Sequence, residues 1–198
     1  MTLQSANQEI ISLVVDKHLA LWADDVLNRI YTKGEAEPEM IRSFHDTATG
    51  EEYDIWIPIP TQIKEQEIDE VEEVLKHALP ESYRFFLQYK FFFDLYIDQL
   101  NVRNHTPSRW KKELVDRVLD GYPEEFLIDK GYLAFADYSD WGHLCFDTNR
   151  SKPGNEYPVV LWDHDSPQDV TLMADSFTEM LQLLSAADDK NRQQNEQE

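Results

Sequence analysis

Residues 133–177 read LAFADYSDWGHLCFDTNRSKPGNEYPVVLWDHDSPQDVTLMADSF, and no other stretch restricts the fold as tightly. Strand-type runs at 143–146 and 157–162 alternate with a period of two, which lets Leu133, Phe135, Leu144, Phe146, Val159 and Leu161 line one sheet face. The intervening loops hold Asp137, Asp140, Asp147, Glu156, Asp163, Asp165, Asp169 and Asp175 against only Arg150 and Lys152. Tyr138, Trp141, Tyr157 and Trp162 are set among those acids. Carboxylates mixed with large flat side chains point to a binding surface rather than a catalytic one. The candidate partner-binding residues are Asp137, Tyr138, Asp140, Trp141, Trp162, Asp163, His164, Asp165 and Asp169.

The rest of the chain supplies helices and a hairpin. Ile11, Val15, Leu19 or Trp22, Val26 and Ile30 recur at three- and four-residue steps and predict an amphipathic helix over 8–31, closed at Gly34. Residues 40–46 and 52–57 flank the turn 47–50 as a hairpin, with Ile55 and Ile57 alternating against Asp54 and Trp56. A second helix is expected over 65–79, with Ile68, Val71, Leu75 and Ala78 inward and glutamates outward. Pro80 opens a short helix that buries Tyr83, Phe86 and Leu87, and a strand follows from Phe91 to Asp98. Thr106-Pro107 starts a helix to Leu119 with Trp110, Leu114 and Val118 inward. Its Arg109, Lys111, Lys112 and Arg117 are mixed with Glu113 and Asp116, which makes an ordinary exposed face. A last helix is expected over 175–184, then a polar, disordered tail over 188–198. The expected architecture is a single α+β domain, a mostly antiparallel sheet with helices packed on one side and an N-terminal helix and hairpin extension over 1–60.

A formal charge of −21 speaks against nucleic acid and an anionic membrane surface as partners and favours a basic protein. The single cysteine, Cys145, allows no internal disulfide and fits a reducing compartment. With no signal-like start and no apolar run of membrane-spanning length, the expected location is the cytoplasm.

Two groupings invite other chemistry. His143, Cys145 and Asp147 project from one strand face and hold the components of an activated nucleophile. Parallel side chains on a strand do not create the hydrogen-bonded approach a base needs, and free cysteine is commonly buried. Asp163-His164-Asp165 offers oxygen and imidazole ligands, but the alternation sets His164 opposite both aspartates. No isolated glycine forms a phosphate-cradling loop. The expectation is a protein that is not an enzyme and holds no cofactor or metal.

The run Leu79-Pro80-Glu81-Ser82-Tyr83-Arg84-Phe85-Phe86-Leu87 resembles the LP-x-x-Y-x-x-F-L signature of the SUKH superfamily. Leu133-Ala134-Phe135-Ala136-Asp137, Asp140-Trp141-Gly142 and Cys145-Phe146-Asp147 resemble its central block. Pro158-Val159-Val160-Leu161-Trp162-Asp163-His164-Asp165 and Ala174-Asp175-Ser176-Phe177 resemble its last strand and helix. Many members follow the helix with an Asn-Gly-Gly turn, where this chain has Tyr89-Lys90-Phe91-Phe92-Phe93. The resemblance implies a SUKH-like domain over 61–187 and an immunity protein that neutralises a cognate toxin by protein contact. The alternative it implies is a regulatory or scaffolding module of the same fold, as in the branch that regulates cell-wall synthesis.

Overall fold

The computed structural model describes residues 3–21, 36–120 and 123–195. In chain order it contains α1 (Leu3–Leu21), β1 (Ile41–His45), β2 (Glu52–Trp56), β3 (Ile59–Pro60), α2 (Glu65–Leu75), α3 (Glu81–Leu87), β4 (Lys90–Phe91), β5 (Asp94–Ile97) and β6 (Leu100–Arg103). There follow α4 (Trp110–Leu119), β7 (Tyr132–Tyr138), β8 (Gly142–Asp147), β9 (Val159–Asp163), β10 (Val170–Ala174) and α5 (Phe177–Asn195). Strands β10-β9-β8-β7-β6-β5 form one six-stranded antiparallel sheet, while β1–β2 and β3–β4 are separate two-stranded pairs. The expected α+β architecture is borne out.

Alternation sorts the strand residues onto two faces. Leu133, Phe135, Leu144, Phe146, Val159 and Leu161 all join the main core, as predicted. Helices α1, α3 and α5 pack on one another and supply that core with Ile11, Val15, Tyr83, Phe86, Phe177 and Leu181. Tyr83, from the Leu-Pro-x-x-Tyr run, sits at its centre, with ring centroids 5.0 Å from Phe146 and 5.2 Å from Phe177. The opposite face carries a second, smaller cluster of Ala134, Cys145, Val160 and Trp162, covered by Leu127.

One irregularity adjusts the alternation in β7. Ala134 pairs with Cys145 and Ala136 with Leu144, which leaves Phe135 as an extra residue. Phe135 and Ala136 therefore both enter the main core, and Asp137 lands on the second face opposite His143.

Several elements depart from the sequence expectation. Helix α2 stops at Leu75 rather than at 79, because Lys76 takes a left-handed backbone with φ 58°. The returning chain then donates its Leu79 N–H to Glu72 Oε1 at 2.7 Å. The predicted strand from Phe91 breaks in two: Phe91 pairs with Ile59, whereas Phe92 is buried and donates its N–H to the His105 carbonyl at 2.8 Å. Trp56, which alternates with Ile55 and Ile57, is the hairpin residue that enters the core.

The C-terminal tail expected from residue 188 is helical as far as Asn195. Its acids are held by α1: Asp189 pairs with Lys17 at 2.5 Å, and Asp188 lies 3.8 Å from the buried His18. Asp188 also pairs with Arg192 one turn on, at 2.6 Å. At the other terminus, Ile11, Val15 and Leu19 of α1 are buried as predicted, while Trp22, Val26, Ile30 and Gly34 lie outside the described residues.

Candidate functional site

Antiparallel order brings three turns to one end of the sheet. The two-residue turn between β5 and β6 holds Asp98 and Gln99, the β7–β8 turn holds residues 139–141, and the β9–β10 loop holds residues 164–169. Asp98 and Ser139 adopt left-handed backbones, with φ of 53° and 55°, which tighten their turns. Ser139 donates its N–H to the Gln99 carbonyl at 2.8 Å, and His164 donates its own to the Trp141 carbonyl at 3.2 Å. The three turns are thus tied edge to edge by backbone bonds.

The loop after β9 is organised by its own acids. Asp163 Oδ1 accepts the Asp165 N–H at 2.8 Å, and the Asp163 carbonyl accepts the Ser166 N–H at 3.1 Å. Trp162 Nε1 donates to the Pro167 carbonyl at 3.1 Å and so pins the far side of the loop to the sheet. Gly142 makes this packing possible: a Cβ there would lie 2.8 Å from Leu161 Cδ1 and 2.9 Å from the Trp162 carbonyl oxygen.

The nine predicted residues divide into two groups. Asp140, Trp141, His164, Asp165 and Asp169 are exposed and Asp163 is half-buried at the rim. Tyr138 and Trp162 are buried, Trp162 with only 3 % of its surface exposed, so of the three aromatics Trp141, at 37 %, is the one that presents a ring to solvent. Tyr138 meets Trp141 edge-on at 5.7 Å, and its phenol pKa is pushed up by burial and by the charge of Asp98. Asp137 receives Arg117 Nη1 at 2.5 Å and lies 3.2 Å from His143 Nδ1, while the His143 ring stacks on Trp162 at 5.6 Å. Asp137, Tyr138 and Trp162 form a support beneath the exposed acids.

Asp98 was missed by sequence reading, which took it for the continuation of a strand. Its carboxylate accepts a bond from Asn191 Nδ2 of α5 at 3.0 Å. The signal available was the spacing itself, two polar residues between the apolar runs ending at Ile97 and resuming at Leu100.

His143, Cys145 and Asp147 do share the second face, but each is engaged elsewhere. Cys145 is fully buried, burial pushes its thiol pKa up, and its Sγ lies 3.7 Å from the His143 carbonyl oxygen. Asp147 accepts the Asn149 N–H at 3.1 Å and Arg150 Nε at 2.5 Å. Among the described residues no three His, Cys, Asp or Glu side chains stand together as a metal would require. Cavities of about 590 and 330 Å³ lie away from the acidic end, the first beside Ile63, Phe91 and Trp110, the second beside Asn7, Phe85 and Glu156.

The chain is an α+β fold in which helices back a six-stranded antiparallel sheet and acidic side chains gather on the turns at one end of it. Residues 62–183 match the model of the SMI1 / KNR4 family (SUKH-1), and the chain belongs to that family. The match spans the whole six-stranded sheet, while α1, the β1–β2 hairpin and the end of α5 fall outside it. No curated protein matches the chain. Among the described residues no helix is long and apolar enough to cross a membrane.

Proposed function

We propose that this protein is an immunity protein that neutralises a basic toxin by covering it with the acidic end of the sheet. One observation carries the proposal: Asp98, Asp140, Asp163, Asp165 and Asp169 lie on three turns held together at that end, beside the exposed ring of Trp141. The charge of −21 favours a basic partner, and family membership is consistent with a module that works by protein contact. Attraction between exposed charges accelerates association and is screened as the Debye length falls from about 10 Å at 0.1 M salt to about 3 Å at 1 M. Affinity that survives high salt comes from the ring of Trp141, since hot spots favour Trp.

The test is association and dissociation kinetics against the protein encoded by the neighbouring gene, across a salt series, together with rescue of cells from that protein. Reversal of Asp140, Asp163, Asp165 and Asp169 to Lys is expected to slow association about tenfold or more at low salt and to change dissociation less. Trp141→Ala is expected to do the opposite, with a loss of about 2 kcal/mol in affinity that appears in the dissociation rate. An association rate indifferent to both salt and charge reversal would sink the electrostatic mechanism. Absence of binding and rescue would favour a regulatory or scaffolding module.

A further inference from the structure

The two edges of the six-stranded sheet are treated differently. At one edge, β5 is flanked by α1 and α5, and its Asp94 lies within ion-pair distance of Arg103. The separate β1–β2 hairpin carries Arg42, Glu52 and Asp54 along its strands. Charged side chains and covering helices are the usual means of blunting a strand edge against further pairing. At the other edge, β10 pairs with β9 alone among the described residues, and its five residues, Val-Thr-Leu-Met-Ala, include no charge and no proline. Leu172 is 52 % exposed there.

A register shift between Leu172 and Ala174 bends the end of the strand. The regular, unguarded part is therefore residues 170–172, immediately after the acidic loop. On alternate residues of an edge strand the N–H and C=O point away from the neighbouring strand and remain available. An open backbone ladder, an exposed leucine and adjacent carboxylates at Asp163, Asp165 and Asp169 together favour one occupant.

We propose that the free edge of β10 is a docking strip for an extended basic segment of the protein partner, which adds to the sheet as a seventh strand. Its backbone pairs with residues 170–172, an apolar side chain covers Leu172, and its lysines or arginines reach the β9–β10 loop. This is recognition by strand addition, in which main-chain bonds supply the register and flanking side chains the selectivity. The inference rests on the proposal that the partner is a basic protein.

Two capped octapeptides of equal charge separate strand pairing from charge attraction: one alternates lysine and valine, the other repeats Lys-Lys-Pro-Pro. The proline peptide keeps the charge but lacks backbone donors along both of its edges. With the lysine–valine peptide, the outward-pointing amides of residues 170–172 are expected to exchange with solvent at least tenfold more slowly, read by NMR. With the lysine–proline peptide they are expected to be unchanged. Leu172→Lys, at an exposed position, is expected to weaken binding of the lysine–valine peptide at least fivefold and to leave the melting temperature unchanged. If both peptides perturb only residues 163–169, strand addition is overturned while the acidic surface stands. A lysine–valine peptide that leaves exchange in β10 unaltered overturns the docking strip in every case.

Discussion

The two faces of the six-stranded sheet are built from the same strands, residue by residue in alternation, yet they do different work. The main face lies under α1, α3 and α5 and is filled by rings, with Phe135 stacked on Phe146 at 4.2 Å and Phe177 edge-on to both. The second face holds a small cluster around Cys145, Val160 and Trp162, continued by the Arg117–Asp137–His143 group. The main face therefore carries stability. The second carries a polar framework that fixes where the acidic turns stand.

The sharpest way to break this contrast is to remove a ring from the main face. Phe146→Ala deletes a fully buried side chain among three aromatic neighbours and is expected to cost about 3–5 kcal/mol in denaturant unfolding. A loss under about 1 kcal/mol would mean that the rings repack freely and that the two faces do not differ in kind.

Acid probes the same side of the molecule. His105 is enclosed by Phe86, Phe91, Phe92 and Trp110, places Nε2 2.9 Å from the Leu87 carbonyl, and burial pulls its pKa from 6.5 down to about 4. The unfolded chain protonates His105 first as pH falls, so the stability this neutral ring contributes is complete above pH 6.5 and lost between about 6.5 and 4. The loss amounts to roughly 3 kcal/mol. Glu156, whose carboxyl pKa burial raises while it accepts bonds from Ser82, works in the opposite sense, and the folded state gains its proton first. Denaturant midpoints from pH 7 to 4 should fall less steeply in His105→Phe than in the wild type. Parallel profiles would remove His105 from the account.

On the second face the effects are smaller. Arg117→Met leaves the Asp137 carboxylate without its guanidinium and is expected to cost about 2 kcal/mol. A double-mutant cycle with Asp137→Asn should show clear non-additivity, and strict additivity would show that the pair does not act as a unit. Smallest is Cys145→Ala, expected to cost about 1 kcal/mol and to leave the proposed neutralising activity intact. A folded Cys145→Ala protein that failed to rescue would give the thiol a role its burial argues against.

The main face was legible in the sequence because period-two alternation needs only local information: Leu133 through Leu161 fall where the pattern puts them. The inward stripes of α2, α3 and α4 were legible for the same reason at helical spacing. What escaped depended on distant contacts. Alternation put Trp162 on the other side of the sheet, but nothing local announced that Leu127 would cover that side. The run 188–195 reads as a polar tail until Lys17 and His18, some 170 residues away, are brought against it. β6 is four residues long, too short to display a period, and the set of acids at the sheet end lacked Asp98 for that reason. Of the residues expected to bind, the exposure of Asp165 and Asp169 was recognisable from composition, whereas the inward turn of Tyr138 and the pairing of Asp137 required the fold.

The extra residue in β7 is a phase shift in an otherwise two-state code. Upstream of it, odd-numbered positions face the helices; downstream, even-numbered ones do, as Leu133 and Ala136 illustrate. Removal of one residue at Phe135 or Ala136 would restore strict alternation and leave Asp137 on the second face and Tyr138 on the oily side, whereas flattening the bulge with both residues kept would turn Asp137 inward. The bulge thus acts as a counting mark, keeping the half of β7 that builds the core and the half that aims the acidic turns on separate reading frames.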